Sequence, residues 1–353
     1  MGERLTEALE LIAPGTAVRE AIDNIVRART GALLVFADEH EIDPLISGGI
    51  PIHIDFAPMK CYELAKLDGA ILLDRRGRRI MYANVQIMPD PTIPSVETGT
   101  RHRTAERVAK QIDALAISVS ARRDVVSLYI DGIHYVLEEP RVVLSKANQA
   151  LQALEKYKSR LNQVLTSLSA LEFEDAVTLY DVLSVVQRAE MVLRIAGEIE
   201  RYNLELGVEG RLIEVQLEEL MVDVREDYLA VVSDYLPDLT ELTVDDVTNA
   251  LNALHSEDLL SLGLIAEIIG YDGGDLDVEQ HVSPRGFRML RKIPRLSGDV
   301  IGNVVGSFGS LDEIMNAPSD RLADVEGVGS GRAHDIKEGF LRLRELNLLE
   351  RYG

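Results

Sequence analysis

Tyr62-Glu63-Leu64-Ala65-Lys66-Leu67-Asp68-Gly69-Ala70-Ile71-Leu72-Leu73 passes from a helical pattern through an Asp-Gly turn into a short apolar strand. The same grammar recurs on either side of it. Gly31-Ala32-Leu33-Leu34-Val35-Phe36-Ala37, Ala114-Leu115-Ala116-Ile117-Ser118-Val119 and Val125-Val126-Ser127-Leu128-Tyr129-Ile130 are apolar runs bounded by Asp, Gly and Arg. Runs of this length and composition read as buried strands. Helical patterns lie between them at residues 4–12, 17–28, 59–67 and 104–113. The segment 1–145 therefore predicts an α/β domain, a sheet core flanked by helices.

Beyond it the pattern changes. Residues 141–236 contain no proline, and Leu151, Leu154, Leu161, Leu165 and Leu168 keep the alternating spacing of three and four that marks a helical seam, interrupted by Lys158. Further periodic stretches cover roughly 175–202 and 209–236, so 146–284 predicts an all-α spine. From Ser283-Pro284-Arg285-Gly286 onward short helices alternate with glycine-bearing turns, a third, small α-helical domain over 285–353. No long-period internal repeat is visible in the residues. Three domains suit 353 residues, more than one core normally serves.

A net charge of −22 seems to exclude nucleic acid, but it is unevenly spread. Residues 1–145 carry −4, residues 146–284 carry −19 and residues 285–353 carry +1, which leaves the last segment free to meet phosphate. The acidic middle reads as a solvated face or as a spacer that oligomerises the two ends. The single cysteine, Cys61, has no partner for an internal disulfide and reads as a small half-buried residue. No apolar run reaches the ~18 residues of a membrane span, so a cytoplasmic protein without a membrane partner is expected.

Two motifs in the first segment carry chemistry. Asp68, beside Gly69 at a helix–strand junction, is placed to hold a metal ion or accept a hydroxyl proton, although alone the tripeptide also fits a plain turn. Gly99-Thr100-Arg101-His102-Arg103-Thr104 gathers two guanidinium forks, an imidazole and two hydroxyls, a set that suits a triphosphate or else an exposed basic turn. A helix predicted from about Thr104 would add its N-terminus to such a site. His40, His53, His134, His255, His281 and His334 show no ligand spacing, and no Gly-x-x-x-x-Gly-Lys-Ser/Thr loop exists.

In the last segment Val325-Glu326-Gly327-Val328-Gly329-Ser330-Gly331-Arg332-Ala333 has the form of a helix-hairpin-helix. Its glycines let backbone N–H groups aim at a phosphate, with Arg332 and Lys337 near the contact. A preceding unit on Ile293-Pro294-Arg295-Leu296-Ser297 has Arg288, Arg291 and Lys292 close by but lacks paired glycines. Contact of this kind is salt-sensitive and blind to base sequence.

Together, Asp68-Gly69-Ala70 and Arg101-His102-Arg103 resemble the two signatures of the diadenylate cyclase (DAC) family, with Tyr62–Leu67 and Asn84-Val85-Gln86-Ile87-Met88-Pro89 as further matches. With residues 284–341 included, the likeness extends over the chain to the DNA-integrity-scanning branch of that family. The resemblance implies a nucleotide-binding domain with a mixed central sheet that condenses two ATP into cyclic di-AMP with Mg2+ or Mn2+. It implies catalytic roles for Asp68, Gly69, Ala70, Arg101, His102 and Arg103, with Asp68 as the metal and hydroxyl-activating carboxylate. It places ATP against Gly69, Ile87, Thr100, Arg101, His102, Arg103 and Thr104. Ser120 is a further phosphate or metal contact, although Ala121 and Arg122 depart from the family's acidic pair. The resemblance also implies face-to-face subunits in a homo-octamer, and branched DNA bound through Gly327, Gly329, Arg332, Lys337 and Arg295, with synthesis falling on binding. The alternative is a DNA-binding repair scaffold that senses ATP without turnover.

Overall fold

The structure is a computed structural model in which residues 3–121, 125–237, 242–271 and 277–352 are described, 350–352 by backbone alone. It divides into two compact units: 1–149 with 199–215, and 150–198 with 216–353.

The first unit opens with helices α1 (Glu3–Ile12) and α2 (Ala17–Ala28), the latter capped by Thr16, whose hydroxyl accepts the Arg19 N–H at 3.1 Å. Strand β1 (Ala32–Phe36), the short helix α3 (Glu39–Ile42), β2 (Ile46–Ser47), β3 (Ile50–Asp55) and α4 (Pro58–Leu64) follow. The unit continues with β4 (Ala70–Leu73), β5 (Arg79–Ile87), α5 (Thr100–Gln111), β6 (Leu115–Val119), β7 (Val126–Ile130) and β8 (Ile133–Leu137). The strands form one mixed sheet in the order β2-β5-β4-β1-β6-β7-β8, with β3 also on β5. Only β1 and β4 run parallel; the other pairs are antiparallel.

The apolar runs that suggested buried strands are β1, β4, β6 and β7, and all their residues are buried because both sheet faces are covered. Leu34, Phe36, Ile71, Leu73 and Ile117 pack with Leu9, Ile22 and Ile25 of α1 and α2. Their neighbours Leu33, Val35, Ala70 and Leu72 point the other way, against Ala105, Val108 and Ala109 of α5. Cys61 is fully buried rather than half-buried, and burial pushes its thiol up to about 12, which leaves it an inert core residue.

Residues 150–198 and 216–353 build the second unit from α-helices. Helices α6 (Pro140–Glu174), α7 (Leu179–Leu206) and α8 (Arg211–Met221) each contribute to both units. The stretch expected at 209–236 is broken at Asp223, which adopts φ +61° between α8 and α9 (Val224–Tyr235). Then come α10 (Val244–Ala253), α11 (Leu262–Ile269), α12 (Phe287–Arg291), α13 (Gly298–Phe308), α14 (Leu311–Asn316), α15 (Ser319–Ala323) and α16 (Gly329–Tyr352). Among the described residues no helix is long and apolar enough to cross a membrane.

The last five helices overturn the expectation that no repeat exists. The turn joining α12 to α13 recurs 32 residues later between α15 and α16. Leu290, Ile301, Val304 and Phe308 are buried in the first copy, and Leu322, Ala333, Ile336 and Phe340 take the same places in the second. Arg295 (φ +68°) stands where the second copy has Gly327 (φ +82°). The repeat escaped notice because few identities survive; what recurs is burial and backbone conformation.

A second finding concerns Arg288, grouped with Arg291 and Lys292 close to the first turn, which is completely buried and so not open to a phosphate. Its guanidinium pairs with Glu172 of α6 and donates to Ser169 Oγ at 3.0 Å. Asp234 of α9 accepts the backbone N–H groups of Gly286, Phe287 and Arg288 at 2.7, 2.6 and 2.9 Å, which caps α12 from a neighbouring helix.

Candidate active site

Register places the motifs together. Ala32 pairs with Val119, Leu33 with Ala70, and Ala70 with Val85. The starts of β1 and β4 and the ends of β5 and β6 therefore share one edge of the sheet. Gly31, Asp68-Gly69, Ile87 and Ser120, separated by 18 or more residues in sequence, are all carried to that edge.

Gly69 is required there. It adopts φ +86°, and a Cβ on it would stand 2.7 Å from the Val85 carbonyl oxygen and 2.9 Å from the Val85 nitrogen. The partner strand is bulged at this point, with Asn84 in the left-handed region at φ +55° between the Ala70–Val85 and Leu72–Tyr82 pairs. The turn is thereby clamped on β5, and Asp68 is exposed at its tip. Ala70 is 1% exposed and faces the core beneath α5, so its side chain shapes the floor and does not reach a ligand. Ile87 also belongs to that core at 8% exposure.

Helix α5 starts at Thr100, one turn before the expected Thr104, with Gly99 as N-cap; the Arg103 N–H donates to the Gly99 carbonyl at 2.9 Å. Arg101, His102 and Arg103 consequently stand in its first turn, where the positive end of the helix dipole adds to their charges. The sequence pattern missed this turn because its polar residues carry no apolar period. Arg101 reaches back to the start of β1: a Cβ on Gly31 would lie 2.5 Å from its Nη1. Arg103 turns instead onto its own loop, donating to the carbonyls of Glu97 at 3.2 Å and Thr98 at 3.3 Å. Arg107 and Lys110 do the same to Ile93 and Pro94 at 2.9 and 3.1 Å. Lys110 also donates to Glu106 at 2.6 Å; against the effect of burial, this bond and one from Ser95 hold the Glu106 carboxyl below its usual range. The loop between β5 and α5 is thus stapled along the helix. Thr100 is exposed, Thr104 half-buried, and Ser120 half-buried with its N–H on the Val125 carbonyl at 2.9 Å. Arg122 lies outside the described residues.

His102 is half-buried, on the face of α5 that carries Ala105 inward, and its Nδ1 meets the hydroxyl of Tyr129 at 2.9 Å. Sequence reading missed Tyr129, which lay unremarked in an apolar strand.

Asp68 is the carboxylate at this edge that could serve as a ligand to a divalent cation. Among the described residues no three or more His, Cys, Asp or Glu side chains gather into a metal cage. One exposed carboxylate, Asp68, suffices for a cation that takes its other ligands from water and nucleotide phosphates.

The second unit carries a glycine-bearing turn ahead of α16. Gly327 and Gly329 are exposed, both with positive φ, at the start of α16. Arg332 folds back to donate to the Gly327 carbonyl, and Lys337 donates to the Met315 carbonyl at 2.6 Å. Burial lowers the Lys337 pKa. Arg295 is exposed.

Residues 19–134 match the family model described as DisA bacterial checkpoint controller nucleotide-binding, and residues 137–277 match its linker region. The chain is 51% identical over 343 residues to the DNA integrity scanning protein DisA of Carboxydothermus hydrogenoformans, covering 97% of each. It is 47% identical over 349 residues to the protein of that name from Clostridium botulinum, covering 99% of this chain and 98% of that one.

The chain belongs to the DisA family.

Its nucleotide-binding region holds both motifs of the sheet edge, and its linker region begins near the start of α6. The repeated hairpins lie beyond the linker region, in a part that the DisA relatives share through nearly full-length similarity.

Proposed function

We propose that this DisA-family chain is a diadenylate cyclase: two ATP yield cyclic di-AMP and two pyrophosphates. Each ribose 3′-oxygen forms a bond to the α-phosphorus of the other nucleotide, and the bond from that phosphorus to the leaving pyrophosphate breaks. The reading is carried by the register that brings Asp68 and the first turn of α5 to the same end of the sheet, where Arg101 reaches the start of β1. Asp68 would receive the 3′-hydroxyl proton and would hold Mg2+ or Mn2+, which when bound supplies charge neutralisation at the phosphates. Arg101 and His102, with Thr100 and Thr104, would orient the triphosphate for in-line attack, while Arg103 fixes the loop beside it. Ser120 borders the same edge.

One chain offers one such carboxylate and one cradle, so the reaction needs two copies facing each other, and a homo-octamer multiplies that pair. Exposed Leu67, Met88 and Val96 belong to the segments that frame the edge and suit such a contact. The repeated hairpins support a helix-hairpin-helix DNA-binding domain at 285–353, following a spine at 146–284. Gly327, Gly329 and Arg295 present backbone and charge to phosphate, and bound branched DNA lowers synthesis.

The test is incubation with ATP and Mn2+ or Mg2+ and chromatography of the product. Asp68→Asn abolishes cyclic di-AMP while ATP still binds, and Arg101→Ala weakens binding and turnover together. Full activity of Asp68→Asn removes the assignment. ATP binding without product in the unaltered chain favours a sensing scaffold.

A further inference from the structure

We infer that Tyr129 is a positioning residue for His102, held in turn by Glu97 and by the stacked ring of His134. The inference rests on the cyclase reading of the same site and adds to it a residue that no motif contains.

Tyr129 is 1% exposed, so its hydroxyl must find partners within the protein. It meets His102 Nδ1 at 2.9 Å, 27 residues away in sequence, and forms further side-chain hydrogen bonds with Glu97 and Ser127. The His134 ring lies flat on the phenol, centroids 4.6 Å apart with 7° between planes, and its Nδ1 is 3.4 Å from Glu97 Oε1. Burial first, and then the Glu97 carboxylate, push the Tyr129 pKa up, so the phenol keeps its proton.

These contacts set a direction. A carboxylate only accepts, so the Tyr129 O–H donates to Glu97. The phenol oxygen is left to accept, and His102 therefore presents Nδ1–H to it. That fixes the tautomer, with the proton on Nδ1. Without the phenol, the imidazole loses the contact that holds its ring plane in the first turn of α5.

The experiment is a double-mutant cycle on the full-length chain, read by steady-state cyclic di-AMP formation from ATP and Mn2+. Tyr129→Phe keeps the ring and its stack. It should lower kcat by about ten- to a hundredfold, as removal of a group that orients a functional imidazole does, with KM for ATP changed by less than about twofold. In a His102→Ala background it should cost nothing further, because the phenol then has nothing to orient. Glu97→Gln, which leaves the phenol in place, should lower kcat in the same direction and show the same loss of effect.

Unchanged turnover in Tyr129→Phe, or equal losses with and without His102, overturns the inference and leaves the cyclase reading intact. If Tyr129→Phe does not fold, full activity of Glu97→Gln overturns it. No product from the unaltered chain, or full turnover in His102→Ala, removes the site reading and this inference with it.

Discussion

Gly69 does two things at once: it turns the chain with φ +86° and lets the Val85 backbone pass within contact distance. Asp68 directly precedes Gly69, so the close passage against β5 sets where its backbone sits. In Gly69→Ala the left-handed strain and the collision with backbone act together, and a cost of about 1–3 kcal/mol is expected. Chemical denaturation measures it. Cyclic di-AMP formation should fall further than stability does, because the strain relaxes by moving Asp68. Gly31 presents a milder case, where the obstacle is the flexible end of Arg101.

At the level of elements, the junction of α6, α9 and α12 is held by charge inside the core. Arg288 and Glu172 have fully buried side chains, and Tyr235 donates to Glu172 at 2.8 Å. Arg288→Met should cost about 3–5 kcal/mol, since Glu172 then stays buried without its counter-ion, and a second change, Glu172→Leu, should recover most of the loss. Equilibrium unfolding of the single and double variants decides this. The same junction gives a pH dependence. Burial, followed by the Glu172 charge, pushes the Asp234 carboxyl up to about 7, whereas in the unfolded chain it titrates near ~3.9. Between these values the folded chain keeps a proton that the unfolded chain has released, so the group's contribution to stability falls as pH rises. The melting temperature of the unaltered chain relative to Asp234→Asn should therefore drop between about pH 5 and about pH 7.5.

Across the whole molecule the charge is segregated: −19 over residues 146–284 and +1 over 285–353. On the function proposed above, the acidic stretch would repel DNA, and the turns ahead of α13 and α16 would offer it backbone donors and a few cations. Binding through them should weaken steeply with salt and discriminate little between sequences. A titration of branched DNA at increasing ionic strength checks the slope, and Arg295→Glu should reduce both affinity and slope. A rise in affinity with salt would contradict phosphate contact.

The residues alone were enough for the α/β first segment, the helical middle and the two motifs, because apolar runs of four to six residues and glycine-linked charges are local signals. Helix α2 was legible to the residue, while α5 began a turn early because Thr100-Arg101-His102-Arg103 has no apolar period. Strand β5 went unread because Arg79, Asn84 and Gln86 break up its apolar residues. In the sequence Arg288 is one of three cations near a turn, and only packing revealed Glu172 and Ser169 around it. The 32-residue repeat and the Tyr129–His102 contact likewise needed three dimensions. Composition and periodicity report what each segment prefers by itself; which side chains meet is settled by strand register and core packing, which join residues far apart in the chain.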